Sequence, residues 1–178
     1  MFAQLDTKSV YSFMDSVVDL TTYIKRAKEL GYQALGLMDR DNLYAAYHFA
    51  QLASRNGLRP LIGMEANLFY EGRKIPFRLL AKNNQGYKNL MKLATELSSG
   101  QRELTAFSDY LNAIALILPS EDWEPGMTLG SEVFIGVRPE DAGKEFDYPV
   151  VPLHTVRYFE NSDRSTIQML HAISQNVS

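Results

Sequence analysis

Three acidic and three basic side chains lie at the end of, or shortly after, segments of this sequence that are predicted to be strands. They are Asp6, Asp39 and Glu65, with Lys8, Arg40 and Arg157. In parallel α/β folds the carboxyl ends of the strands meet at one edge, and functional sites form there. Carboxylates at such an edge can hold a metal ion, and guanidinium groups can hold phosphate. The alternative is that these polar residues simply occupy loops.

His154 is the only one of the three histidines that follows a predicted strand. We expect it to form hydrogen bonds in the same pocket, with a role as metal ligand as the second interpretation. His48 and His171 fall on predicted helices and are interpreted as surface or satisfied core residues. The chain has no cysteine, which excludes disulfides, Cys-ligated zinc, iron–sulfur clusters and thiol catalysis.

The first third of the chain alternates strand and helix patterns in the order β-α-β-α-β. Short apolar runs predict the strands, and apolar residues at helical spacing predict the helices, with Asp19 as a candidate N-cap. Such an order with short connections favours a parallel sheet. The predicted segments are Phe2–Leu5, Leu20–Leu30, Ala34–Met38, Leu43–Ala53 and Leu61–Glu65.

The remainder of the chain predicts a hairpin followed by a further mixture of strands and helices. We expect the hairpin turn at Glu71–Lys74. The later segments are a helix at Tyr87–Leu97, strands at Ala113–Leu118, Glu132–Val137 and Tyr148–Leu153, and a helix at Thr166–Ile173. About seven strands that alternate mostly with helices indicate an α/β fold, either a barrel or a doubly wound sheet. The pattern leaves the topology of residues 100–148 open.

Length and charge exclude several classes of protein. The 178 residues suit about one domain. A net charge of −3 excludes a strongly basic, free-standing DNA-binding protein. No apolar run approaches the ~18 residues of a membrane span, and the N-terminus lacks the regions of a signal peptide. We therefore expect a cytoplasmic protein, or a piece of one, that does not contact a membrane.

Long stretches of the sequence resemble one known family. The segments LDTKSVYSFMDS and IKRAKELGYQALGLMDRDNLYAAYHFAQLASRNGLRPLIGMEANL lie within residues 2–70. They are similar to the N-terminal PHP (polymerase and histidinol phosphatase) domain of bacterial DNA polymerase III alpha subunits. RLLAKNNQGYKNLMKLATEL, and later VVPLHTVRYFENSDRSTIQMLHAIS, extend the resemblance. It is weakest between about residues 100 and 148.

The resemblance implies a fold, a larger parent protein and partners. The fold would be a PHP-type distorted, incomplete (β/α) barrel, with residues 1–178 forming one PHP domain that is truncated at its C-terminus. The parent would be a replicative DNA-directed DNA polymerase, a nucleotidyltransferase that uses Mg²⁺ and whose polymerase carboxylates lie beyond this chain. The implied partners are the other domains of that polymerase, a proofreading exonuclease subunit, and DNA through the parent enzyme.

The sequence departs from the family's metal-binding pattern. Asp6 and Lys8 stand where the family has His-x-His, Arg40 follows Asp39 where the family has a histidine, and Glu65 is retained. Arg157 stands at a further histidine position, and Thr155 replaces the aspartate just before it. Lys and Arg offer only hydrogen-bond donors and a positive charge, so they repel a metal ion.

We therefore expect neither a metal nor a catalytic residue, and no cofactor, in this chain. The hypothesis is a vestigial site in which Lys8, Arg40 and Arg157 neutralise Asp39 and Glu65 through salt bridges. Two alternatives remain. One is a phosphoesterase that uses Mn or Zn to trim a mismatched primer terminus or to cleave pyrophosphate. The other is a pocket in which the three cations hold phosphate.

Overall fold

A computed structural model describes residues 3–130, 132–141 and 143–175. The described helices are α1 (Leu20–Glu29), α2 (Ala46–Arg55), α3 (Asn84–Ser98) and α4 (Asp163–Ser174). The described strands are β1 (Ala3–Gln4), β2 (Asp6–Thr7), β3 (Ala34–Leu37), β4 (Arg59–Tyr70), β5 (Arg73–Ala81), β6 (Ile114–Pro119), β7 (Val133–Val137), β8 (Val150–Pro152) and β9 (Thr155–Val156). Short 3₁₀ helices cover Leu104–Tyr110, Ser120–Asp122 and Pro139–Asp141.

The chain divides into two compact units, of which the first comprises residues 1–62 and 155–178. In this unit β1, β3 and the first residues of β4 pair in parallel, which confirms the parallel arrangement predicted from the β-α-β-α-β order. Phe2, which belongs to the predicted first strand, lies outside the described residues. Helix α1 begins as predicted, because the Asp19 side chain accepts a hydrogen bond from the backbone N–H of Thr22.

A second, two-stranded sheet in the first unit was not predicted. Residues 6–7 were expected to lie in the loop after the first strand, but they form β2 and pair in parallel with β9. The register places Asp6 opposite Thr155 and Thr7 opposite Val156. Two residues are too few to produce a hydrophobic alternation, so periodicity does not reveal such strands. This pairing brings the charged segment after β1 against the late segment that follows β8.

Gly36 in β3 allows the backbone of Leu5 to approach closely. A Cβ atom at Gly36 would lie 1.9 Å from the carbonyl oxygen of Leu5. The Gly36 carbonyl also accepts a hydrogen bond of 3.0 Å from the hydroxyl of Tyr23. Burial raises the pKa of that Tyr23 phenol, which therefore stays protonated and able to donate.

The substitution Gly36→Ala is expected to lower the free energy of unfolding by about 2–3 kcal/mol, because the new methyl group meets backbone rather than a side chain that can rotate. Urea unfolding followed by circular dichroism measures the change. An unchanged midpoint would contradict the close packing of Leu5 on β3.

The second unit spans Gly63–His154. It contains the predicted hairpin, in which β4 and β5 are antiparallel and Tyr70 pairs with Arg73. The turn therefore has two residues, Glu71 and Gly72, rather than the four that were predicted, and both have positive φ as this turn type requires. Strand β6 pairs antiparallel with β5, and β7 and β8 then add in parallel.

The predicted third strand and the strand that leads into the predicted hairpin turn are one strand. Residues 59–70 form β4 without a break, so Leu61–Glu65 and the first arm of the hairpin are continuous. Among the described residues, the strand order is β1-β3-β4 in the first unit and β4-β5-β6-β7-β8 in the second, with β4 contributing to both. Within the described part of the chain, no helix is both long and apolar enough to span a membrane.

Candidate functional site: buried ion pairs at the strand ends

Lys8 is completely buried and is held by two oxygen atoms in the first unit. Its Nζ lies 2.8 Å from Oδ1 of Asp6, and both side chains are 0% exposed. The same ammonium donates a hydrogen bond of 2.6 Å to the carbonyl oxygen of Met38. A fully buried lysine is rare unless it is paired, because desolvating an ammonium is costly. The structure thus brings two of the predicted site residues, Asp6 and Lys8, into direct contact.

The second oxygen of Asp6 is also engaged. Thr155 donates a hydrogen bond of 2.7 Å from its hydroxyl to Oδ2 of Asp6. The β2–β9 pairing sets this contact, since Asp6 and Thr155 are partners in the register. The Asp6 carboxylate therefore bridges the Lys8 ammonium on one side and β9 on the other.

Asp39 is satisfied by hydroxyl and amide groups. Its Oδ1 accepts hydrogen bonds from the Ser9 amide at 2.6 Å and the Ser12 hydroxyl at 2.7 Å. Its Oδ2 accepts one from the Ser9 hydroxyl at 2.7 Å. Among the residues that the structure describes, no cation forms a salt bridge with Asp39, so the expected neutralisation by Lys8, Arg40 or Arg157 is wrong for this carboxylate. Three donors stabilise a buried carboxylate without a countercharge.

Arg40 and Arg157 both pair with Asp15, a residue that the sequence analysis did not select. The side chain of Asp15 is 3% exposed. Arg40 Nη2 lies 2.8 Å from Oδ2 of Asp15, and Arg157 Nε lies 2.9 Å from Oδ1. His171 Nε2, from α4, is also 2.9 Å from Oδ1. The interpretation of His171 as a surface or satisfied core residue therefore omits its contact with a buried carboxylate.

Glu65 and His154 belong to the second unit. Glu65 is buried on β4, and its Oε2 lies 3.3 Å from Nη2 of Arg78 on β5. Arg78 also donates a hydrogen bond of 2.6 Å to the carbonyl of Pro76. His154 is exposed at the end of this unit. The ion pair of Glu65 within this unit thus comes from a cation that the sequence analysis did not assign to the site.

The Glu65–Arg78 pair had a signal in the sequence. A two-residue turn at Glu71 and Gly72 fixes the hairpin register, and that register places Glu65 opposite Arg78. The predicted four-residue turn implies a different register, in which Glu65 does not lie opposite Arg78. Asp15 carried no comparable signal, because its three partners are 25, 142 and 156 residues away in sequence.

The positions that the resemblance assigns to metal ligands include cations and a carboxylate that accepts several hydrogen bonds. An ammonium stands at position 8, and the lone pairs of Asp39 are directed at hydroxyl and amide donors. Guanidinium groups stand at positions 40 and 157 and pair with Asp15. A metal needs anionic or neutral lone-pair donors that are free to turn toward it.

The sequence of this chain is similar to the sequences of known proteins. The family model described as the PHP domain matches residues 4–124. Over 180 aligned residues that cover the whole chain, 45% are identical to a DNA polymerase III subunit alpha of Streptococcus pyogenes serotype M1. A DNA polymerase III subunit alpha of Bacillus subtilis is 32% identical over 126 residues, which cover 67% of this chain. The chain spans 17% of the length of the streptococcal relative and 11% of the Bacillus one.

A comparison with solved structures bears on the fold alone. An amidohydrolase from Chromobacterium violaceum superposes with a TM-score of 0.54 over 96% of this chain and 97% of its own, at 10% identity. Together with the observed strand and helix order, this likeness confirms the predicted fold class, an α/β distorted barrel.

Proposed function

Because this chain belongs to the PHP domain family, we propose that it works in a DNA polymerase III alpha subunit as a scaffold that hydrolyses no phosphate ester. In this proposal primer extension with deoxynucleotides, and its Mg²⁺, belong to the rest of a longer polymerase chain. The scaffold would brace those other domains, offer a surface to a separate proofreading exonuclease, and meet DNA only through the parent enzyme.

The buried pair of Lys8 and Asp6 carries the proposal. A cation that is completely buried at a metal-ligand position opposes a divalent ion both by charge and by occupying space. Asp6 cannot turn toward a metal without breaking its buried ion pair with Lys8, which is unfavourable. The chain's own side chains therefore supply the charge balance that a metal would supply in an active relative.

The paired carboxylate Asp15 supports the same proposal. It joins its own segment, which follows β2, to the segments after β3 and β9 and to helix α4, through Arg40, Arg157 and His171. Such contacts connect parts of the chain that are distant in sequence, which is a structural task.

We expect the purified chain to bind neither Mn²⁺ nor Zn²⁺ in calorimetric titration, and to release no nitrophenol from bis-p-nitrophenyl phosphate when either metal is added. Chelator treatment should leave the thermal unfolding midpoint unchanged. The physical reason is the donor set, in which Lys8 opposes the ion and Asp39 is held by Ser9 and Ser12.

Two controls make that experiment decisive. Asp39→Ala removes a carboxylate that a metal would need, and Glu132→Ala removes an exposed carboxylate of the second unit. Stoichiometric metal binding and metal-dependent hydrolysis that disappear in Asp39→Ala, but persist in Glu132→Ala, would replace the scaffold by a metal-dependent phosphoesterase.

A phosphate-binding pocket is the second candidate, and one observation favours it. Arg40 and Arg157 converge on Asp15 while their side chains remain 40% and 28% exposed. Guanidinium groups recognise phosphate through several N–H donors, and both of these groups are partly exposed. Lys8, the third cation expected in this pocket, is fully buried against Asp6 and does not favour it.

We expect inorganic phosphate, compared with sodium chloride at the same ionic strength, to leave the unfolding midpoint of the chain unchanged. The scaffold needs no anion, since Asp15 already pairs with both guanidinium groups. A saturable rise in the midpoint, absent in Arg157→Ala, would favour the pocket instead.

A further inference from the structure

The ammonium of Lys8 lies in surroundings that suit a cation. The groups around Nζ include a carboxylate oxygen of Asp6 at 2.8 Å and a carbonyl oxygen of Met38 at 2.6 Å. Anionic and carbonyl oxygens are the usual protein ligands of hard cations. No part of the Lys8 side chain reaches solvent. The ammonium is thus surrounded by the oxygen ligands of a buried cation site. The flexible alkyl part of the Lys8 side chain attaches this cation to the backbone.

Three separate segments meet around the Lys8–Asp6 pair. Asp6 belongs to β2, Met38 directly follows β3, and Thr155 of β9 holds the other oxygen of Asp6 at 2.7 Å. The backbone agrees with this arrangement, because the Met38 amide donates to the carbonyl of Thr7 and the Lys8 amide donates to that of Val156. Removing the charge would leave a carboxylate and a carbonyl oxygen without their shared donor in a buried place.

We propose that Lys8 provides a structural cation tethered by its own side chain, and that its pocket is an alkylammonium-binding site once the side chain is shortened. This inference deepens the proposed function and rests on it, because it assumes that the Lys8 ammonium, rather than a metal ion, occupies the cation position. The binding class is a primary alkylammonium ion, with an apolar stem and three N–H donors.

The match between pocket and probe follows from covalent structure. Lys8→Ala removes Cγ, Cδ, Cε and Nζ and keeps Cβ. The n-propylammonium ion has the same carbon chain and the same charged head as the part removed. It therefore replaces both the lost volume and the lost donor, whereas n-propanol replaces the volume and carries no charge. Comparison of these two probes separates filling a cavity from supplying a cation.

The test measures thermal unfolding of the unaltered chain and of Lys8→Ala with n-propylammonium chloride, n-propanol or sodium chloride. We expect Lys8→Ala to unfold at a lower temperature than the unaltered chain. At a propylammonium concentration about tenfold above its dissociation constant, the midpoint of Lys8→Ala should rise by about 3–6 °C. The unaltered chain should not respond, and n-propanol should produce a clearly smaller rise.

Two further variants act as controls. Lys8→Met fills most of the space without a charge, so it should be destabilised and should not respond to propylammonium. Asp6→Asn combined with Lys8→Ala removes the anion that attracts the probe, so the response should be lost there as well. If Lys8→Ala does not fold in buffer, the same titration is followed as recovery of the native circular dichroism signal.

Certain results would overturn the inference. If n-propanol and propylammonium raise the unfolding midpoint of Lys8→Ala equally, the probes replace only the lost volume and not the charge. A response of equal size in Lys8→Met, or in the Asp6→Asn and Lys8→Ala double variant, would place the ion elsewhere. Absence of any midpoint rise, or of any recovery of folding, in Lys8→Ala would also contradict it. The proposed function fails on a different result, which is metal-dependent hydrolysis by the unaltered chain.

Discussion

Replacement of Asp6 by alanine is expected to lower the free energy of unfolding by about 3–5 kcal/mol, the usual cost of removing one partner of a buried ion pair. The substitution removes the carboxylate that lies 2.8 Å from the Lys8 ammonium, where both side chains are 0% exposed. It also removes the acceptor of the Thr155 hydroxyl. Urea unfolding of Asp6→Ala, compared with the unaltered chain, measures the loss.

The exposed pair Lys82–Glu132 is a matched control for this prediction. Its Nζ–Oε1 distance is 2.7 Å, close to that of Lys8 and Asp6, but its side chains are 43% and 51% exposed. Glu132→Ala should therefore cost no more than about 1 kcal/mol. Similar losses in Asp6→Ala and Glu132→Ala would contradict the conclusion that burial decides the strength of the Lys8–Asp6 pair.

The substitution Arg78→Met is expected to lower the free energy of unfolding by about 3–5 kcal/mol, because it leaves the buried Glu65 carboxylate without its guanidinium partner. The side chains of Arg78 and Glu65 are 9% and 3% exposed. Methionine keeps much of the packing of the arginine stem, so the loss reports mainly the charge. Adding Glu65→Gln to Arg78→Met should recover part of the loss.

Arg73 provides the control on the same strand. Its Nη1 lies 2.6 Å from Oε1 of Glu124, but the two side chains are 42% and 65% exposed. Arg73→Met should change the free energy of unfolding by about 1 kcal/mol or less. Chemical denaturation of both variants under identical conditions compares them. A larger loss for Arg73→Met than for Arg78→Met would contradict the buried Glu65–Arg78 pair as a main contributor to the second unit.

Local patterns accounted for much of the fold. The helical spacing after Asp19 and the apolar run at Ala34–Met38 both correspond to elements of the structure. These patterns depend on residues within a few positions of each other, which is why they can be read from one sequence. The short strand β2 was missed because its partner β9 is about 150 positions later, and two residues carry no periodicity of their own.

The candidate site was predicted less completely than the fold. The residue types at positions 8, 40 and 157 already argued against a metal, since a cation cannot be a metal ligand. The partners of those cations could not be assigned in the same way. Arg40 and Arg157 pair with Asp15, and Lys8 pairs with Asp6, so Asp39 is stabilised by Ser9 and Ser12 instead.

The sequence by itself determined the residue types at the strand ends, the helix that begins after Asp19, and the departure from a metal-binding pattern. Only the tertiary structure decided which acidic side chain pairs with which basic side chain. An ion pair depends on two side chains approaching within about 4 Å, and segments far apart in sequence reach that distance only through strand register and loop path. The completely buried ammonium of Lys8 is the clearest example, because its partners come from β2 and from the residue after β3.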